Sequence, residues 1–522
     1  MKTFKRFGAI FIAALLLLTL SLPALAVTVP PPPGSITMQD EHGKTKTESA
    51  YVAHKIVTWS ATVSGVYNDM VLNGTYRPAL IKELGAPLTE TSTDGEILKA
   101  LAAVTDTAKV AKLAVALSQV IDAGTPAVAG VFSNLSYGYY LVIETSNGAT
   151  DGTVRSKPIL VSVPDHNGTA AVVVTVKTSK ADVDKHIVGV NNGAVTPTKT
   201  AQLNIGDVVD FKLTATVPTY AGDVKDSDVV YVVEDTLSKG LKFNYKSDGP
   251  NFIVKDSTGA TLDSVHLYHL RQEATPEGGN RMQLTFVYGR IKDLGQITIE
   301  YSATLCAEAS VGAVGNPNRV TLQYSNNPGV SGSVHTTPPK HTIVYTTGIK
   351  LTKIDGSTPA KPLAGAQFRI YKNAQCEQAV PFYTYNVPTD GSERVLVKSE
   401  TGIVTTGADG IAYFAGLTAG DYYIREIKAP DGYDLLKDPI HIKIGVTLPL
   451  DTTLGTEPAT WRLEAGEFTV ENGIFLSAVK NTLGFHLPGT GGMGTTIFTV
   501  AGVSILALAG GLCLLYYKKK RA

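Results

Sequence analysis

Cysteine is almost missing from this chain: Cys306, Cys376 and Cys513 are the only three in 522 residues. That excludes a disulfide framework as the source of its stability, and Cys306 and Cys376 fall in different expected domains, so free thiols are expected. Histidine is also sparse, ten in all and scattered. There is no His/Cys spacing of the kind that holds a metal, no strained nucleophile turn and no glycine loop for phosphates. Neither a metal, a cofactor nor an enzyme is expected. No sign of charge prevails, with 46 basic and 46 acidic residues, so there is no basic field to draw nucleic acid. What the chain has instead is Gly 50, Pro 27 and Tyr 23, a composition suited to turns and strands.

Long apolar runs occur only at the two ends. Lys2, Lys5 and Arg6 precede an apolar run from Gly8 to Leu22, and Ala24-Leu25-Ala26 follows with small residues at the cleavage positions. Basic head, apolar core and A-x-A site make residues 1–26 a secretory signal peptide, with the mature chain beginning near Val27. Residues 495–517 form a second apolar segment long enough to cross a bilayer. Lys518, Lys519, Lys520 and Arg521 come next, and the positive-inside rule leaves them in the cytoplasm and everything between the two ends outside.

Three mature domains are expected between these ends. The first, 27–176, follows a Pro-rich lead and mixes strands (51–59, 139–145, 170–176) with helical patterns at 94–104 and 107–121. The second, 177–346, is almost all β, with alternation at 207–217, 282–288 and 296–303. The third, 347–485, has the same character, with turns at Asp355-Gly356, Asp409-Gly410 and Asp431-Gly432. The fold class expected is mainly β, tandem immunoglobulin-like sandwiches with some helix in the N-terminal domain.

Several segments resemble known families. Leu487-Pro488-Gly489-Thr490-Gly491, ahead of the apolar span and basic stop, resembles the LPxTG sorting signal of Gram-positive surface proteins; the tail as a whole spans 487–522. The resemblance implies that a sortase cysteine attacks the Thr490–Gly491 bond and passes the acyl group to an amine. In the third domain, the stretch Tyr422 to Tyr433, with Arg425-Glu426-Ile427 and Ala429-Pro430-Asp431-Gly432-Tyr433, looks like the E-box of CnaB-type domains. Residues 349–355 and 362–368 resemble that family's first two strands, and Ala478-Val479-Lys480-Asn481 its last. The family implies an isopeptide bond between Lys353 and Asn481 beside the acid Glu426. Alternation places Lys353 on the face of Ile349 and Leu351, with Lys350 and Thr352 on the other. The chemistry explains the residue types, because burial keeps the amine neutral and the acid protonated.

The second domain looks like the CnaA-type middle domain of backbone pilins, through Val183-Asp184-Lys185, Gly206 to Val209, Glu234 to Leu241, Tyr301 to Leu305 and Asn316 to Leu322. That resemblance implies Lys185 bonded to Asn318 with Asp235 as the acid; Asn316 and Glu234 are the neighbouring alternatives. In the first domain, Tyr140 to Thr145 resembles an E-box and Lys55 could serve it, but the closing stretch 170–177 lacks asparagine, so the triad is incomplete by this reading and a bond there is left open. Domain order and tail resemble a major pilin of sortase-assembled pili. Such a pilin is joined by a class C-type sortase through Thr490 to a lysine of the next subunit, here Lys177 or its neighbour Lys180. Thr175-Val176 stands before Lys177 where the family usually has Tyr-Pro. The implied partners are sortase, other copies of the chain, minor pilins, peptidoglycan and host surface ligands. A cell-wall-anchored monomeric adhesin and a minor pilin are the rival readings.

Overall fold

The computed structural model describes residues 33–61, 67–147, 152–165, 167–177, 180–220, 224–246, 249–250, 252–263, 266–328, 333–386, 394–483 and 494–521. The signal peptide expected at 1–26 and the motif Leu487 to Gly491 lie outside the described residues.

Alternating side chains decide most of the architecture, because a strand that is apolar on one face must bury that face against a second layer. Three hydrophobic cores result. The first joins a sheet containing Ala50–Ala61, Gly138–Ser146 and Ile159–Val163 to a smaller sheet in which Gly34–Gln39 pairs in parallel with Ala171–Thr175. Three short helices, Arg77–Leu84, Asp94–Ala102 and Thr107–Leu117, add Leu80, Ile97, Leu101, Leu113 and Leu117 to that core. The second helix starts at a capping box in which Thr93 and Glu96 satisfy each other's backbone N–H. The helical patterns at 94–104 and 107–121 thus end a few residues early, and Arg77–Leu84 is a helix that the residue pattern did not flag.

The second core lies between two largely antiparallel sheets. Val183–Val190, Val208–Thr216 and Gln296–Leu305 are neighbours in one; Lys340–Tyr345, Asn316–Ser325, Tyr231–Leu237 and Asn280–Phe286 are neighbours in the other. In Val183–Val190 every second residue is buried, which puts Lys185 inward with Val183 and Ile187. The third core is again a sandwich. Its first strand, Thr347–Ile354, pairs in parallel with its last, Ile474–Lys480, while Gln367–Tyr371, Gly420–Lys428 and Ile440–Thr447 form the opposing sheet. The family-like segment 362–368 enters strand only at its end; Pro362 makes an isolated bridge to Ile354.

Polar contacts lock the three units end to end. Tyr324 Oη donates to the Gly152 carbonyl at 2.6 Å, the Arg155 N–H to Asn326 O at 3.1 Å, and Asn327 Nδ2 to Ser146 Oγ at 3.1 Å. At the other junction the Ala419 N–H donates to Gln202 Oε1 at 2.8 Å, and Trp461 Nε1 to Gly312 O at 3.3 Å. Beyond the third core, Gly494–Lys520 is a single helix whose Phe498–Lys520 segment has a mean hydropathy of 2.2 and is wholly exposed, long and apolar enough to span a bilayer.

Candidate functional site

Among the described residues two lysines are buried completely, which is rare unless the charge is paired or absent. In the C-terminal sandwich Lys353 stands near the end of its strand, with Val479 as its parallel partner, so Asn481 emerges just beyond it in the same sheet. Glu426 comes from the opposing sheet. Lys353 Nζ donates to Asn481 Oδ1 and lies 3.1 Å from Glu426 Oε1. Asn481 Nδ2 faces the same carboxylate at 3.3 and 3.4 Å, and the Leu436 N–H donates to Glu426 Oε2 at 2.9 Å. Lys353 lies over the Phe368 ring, 5.6 Å from its centroid. Burial lowers the amine's pKa, against the pull of Glu426 to raise it.

The middle sandwich assembles its group differently. Asp235 and Asn318 belong to one sheet; Asn318 pairs with Leu237, so it sits diagonally from Asp235 on the buried face. Lys185 comes from the opposing sheet, on the strand paired with Val208–Thr216. Lys185, Asp235 and Asn318 are all 0% exposed. Lys185 Nζ is ion-paired with Asp235 Oδ2 and lies 5.0 Å from the Phe211 ring centroid. Desolvation brings the lysine down to about 8, outweighing the attraction of Asp235, and the same burial pushes the Asp235 carboxyl up. Both shifts favour a neutral amine beside a protonated acid.

The two alternatives in this unit are engaged elsewhere. Glu234 points outward and accepts from Gln283 Nε2 at 2.7 Å. Asn316 is buried but its side chain binds the loop at Ser310, through the Ser310 N–H at 2.8 Å and the Ser310 carbonyl at 3.1 Å. One member escaped the sequence reading. Tyr301 accepts at its hydroxyl from Lys185 Nζ and from Asn318 Nδ2, each at 2.7 Å. The available signal was alternation, which turns Tyr301 inward with Ile299 and Ala303.

In the N-terminal unit Glu144 is buried, yet Lys55 is not its partner. Tyr51, directly opposite Glu144 in register, donates to it at 3.2 Å, and the Ser156 N–H donates at 2.5 Å. Lys55 pairs instead with Tyr140 in register and donates to Ser136 Oγ. Glu144 thus anchors the segment leading to Arg155 and the middle unit. Lys177 is exposed two residues after the strand Ala171–Thr175; the preceding Val176 is buried and donates its N–H to Gln39 O at 2.7 Å. Lys180 is exposed as well. The three cysteines are free thiols.

Residues 205–328 match the family model described as Gram-positive pilin backbone subunit 2, Cna-B-like domain; 347–455 match a prealbumin-like fold domain, and 480–522 the LPXTG cell wall anchor motif. The middle unit, which resembles CnaA-type domains in sequence, thus matches a model described as Cna-B-like. The trypsin-resistant surface T6 protein of Streptococcus pyogenes is 27% identical over 376 residues, 65% of this chain and 64% of its own length. The chain therefore spans just under two thirds of that relative. The fimbrial subunit type 1 of Actinomyces viscosus is 24% identical over 423 residues, 74% of this chain and 73% of its own. Among solved structures, the three-domain T6 backbone pilin of S. pyogenes aligns at TM-score 0.47 and 17% identity, covering 87% of this chain and 99% of that one. The major pilin SpaD of Corynebacterium diphtheriae aligns at TM-score 0.42 and 19% identity, covering 87% and 98%. Pilin-backbone domain, prealbumin-like domain and anchor, in that order, define a cell-wall-anchored surface protein of Gram-positive type. The family on which the domain matches and relatives converge is that of the Gram-positive backbone pilins.

Proposed function

We propose that this chain is the backbone subunit of a covalent surface fibre, stiffened from within by two self-formed isopeptide bonds. A class C-type sortase cleaves Thr490–Gly491 and joins the Thr490 carboxyl to the Lys177 amine of the next copy. Head-to-tail joining of this kind gives an open filament rather than a ring. Within each subunit Lys353 bonds to Asn481 with Glu426 as the acid, and Lys185 to Asn318 with Asp235. In each case a neutral amine attacks the asparagine carboxamide carbon and ammonia leaves. Each site turns over once, so the chain is sortase substrate and structural material rather than an enzyme. Minor pilins and peptidoglycan complete the assembly, and host surface ligands are the objects of adhesion.

The observation that carries this reading is the pairing of an LPXTG tail at 480–522 with wholly buried lysine, acid and asparagine side chains in the two sandwiches before it. Exposure of Lys177 at the first junction supports its role as acceptor. Expressing the chain with its sortase should give an SDS-resistant ladder of high mass, which disappears in Lys177→Ala. A ladder that survives that change but vanishes in Lys180→Ala moves the acceptor by three positions. A chain anchored singly, with no ladder under any condition, is a monomeric adhesin or minor pilin, and the fibre reading fails.

A further inference from the structure

The two buried groups differ in which atom spans the nucleophile and the leaving group. In the C-terminal sandwich Glu426 does so alone: its carboxylate is 3.1 Å from Lys353 Nζ and 3.3–3.4 Å from Asn481 Nδ2. In the middle sandwich Asp235 touches the lysine but makes no hydrogen bond to Asn318. Asp235 Oδ1 and Asn318 Oδ1 both lack a partner among the described residues. The atom that meets both nitrogens there is Tyr301 Oη, 2.7 Å from Lys185 Nζ and 2.7 Å from Asn318 Nδ2.

We propose that the Tyr301 hydroxyl is a catalytic group of the Lys185–Asn318 reaction, carrying a proton from the attacking nitrogen to the departing one. The assignment rests on the isopeptide reading above. The steps balance as follows. The Lys185 ammonium gives one proton to Asp235, leaving a neutral amine and a carboxylic acid. Nζ attacks the Asn318 carboxamide carbon, and the acid proton of Asp235 supports the charge that develops on Oδ1. Nζ, now carrying an excess proton, passes it to Tyr301 Oη as the tyrosine proton passes to Nδ2. The carbon–Nδ2 bond then breaks, the carbonyl re-forms, and ammonia departs. Asp235 ends protonated, and Tyr301 ends unchanged. A hydroxyl suits this relay because it donates and accepts at once and rotates about a single bond. Burial holds the phenol far from ionising, so it serves as a neutral relay rather than a phenolate.

Tyr301→Phe is the first test, since it removes only the hydroxyl and keeps the ring that packs 5.3 Å from Phe211, 5.3 Å from Phe243 and 5.5 Å from Phe252. In timed cell-free synthesis the middle bond should form at least about 100-fold more slowly, the scale of positioned proton transfer. The variant would then keep about 17 Da, the mass of one ammonia, that the wild type sheds. The Lys353–Asn481 bond in the same molecules should form at the wild-type rate. A Phe variant that closes the Lys185–Asn318 bond at the wild-type rate overturns the relay. Should the Phe variant not fold by circular dichroism, site-specific 3-fluorotyrosine at 301 preserves size and alters only the phenol's acidity. A changed rate supports the relay, and an unchanged one sinks it. If tandem mass spectrometry finds no Lys185–Asn318 cross-linked peptide in the wild type itself, the underlying bond reading fails, independently of Tyr301.

Discussion

A lysine 0% exposed, such as Lys185, has given up the hydration of its ammonium, and its pKa of about 8 records the cost. Chemistry and stability are therefore coupled at this residue. In Asn318→Ala, where no bond can form, the folded lysine loses its proton near pH 8 while the unfolded one holds it to about 10.5. The unfolded chain binds more protons in that window, so stability rises with pH across it. Melting temperature of Asn318→Ala should climb between pH 8 and 10.5, and in Lys185→Met/Asn318→Ala that part of the climb should vanish. Equal slopes in both variants would mean that the buried amine does not control the titration. Asp235, shifted upward by burial, gives the opposite slope at lower pH, and loses in the double variant the lysine that holds it down.

Among the strands and their connections, the two sandwiches bring lysine, acid and asparagine together through different pairings. Parallel neighbours Thr347–Ile354 and Ile474–Lys480 bring Lys353 beside Asn481 within one sheet, with the acid supplied from the other. In the middle unit lysine and asparagine lie in opposing sheets, so a bond there staples one layer to the other. The loop ahead of Ile474–Lys480 also holds the junction: the Ala313 N–H donates to Asn472 O at 2.9 Å, and Gly473 has φ +77°. A Cβ at Gly473 would lie 2.6 Å from Ala313 N, backbone that cannot give way cheaply. Gly473→Ala should cost roughly 1–3 kcal/mol through strained backbone and loosen this junction. Small-angle scattering should then show a broader range of end-to-end lengths, and an unchanged profile would place the junction's stiffness elsewhere.

For the molecule as a whole, the question is where tension travels. If force enters near Lys177 and leaves at Thr490, a Lys353–Asn481 bond connects the first and last strands of the C-terminal unit and bypasses the chain between them. That shielded segment spans 128 residues, roughly 450 Å of extension at about 3.5 Å per residue. Single-molecule pulling should show no such lengthening in the wild type and a step of that size in Lys353→Ala. A wild-type trace with the full step would exclude the bond.

The sequence by itself determined the anchoring tail, the β-rich character of the middle, and the inward face of Lys353. Each of these depends on local signals: apolar length, a terminal motif, or the period of two along a strand. The resemblance named Asp235, while alternation required only that one of Glu234 and Asp235 face inward without choosing between them. What local signals could not supply was which inward side chains meet. Asn316 and Asn318 have the same parity and are both buried; only the loop at Ser310 decided that Asn316 is occupied. Glu144 shows the converse, an acid in an E-box-like strand that meets Tyr51 and Ser156 instead of a lysine. Tyr301 joins Lys185 and Asn318 only because two sheets close face to face, bringing together atoms 116 and 17 residues apart in the chain. Distance across a packed core is a property of the layers, and no period along one strand encodes it.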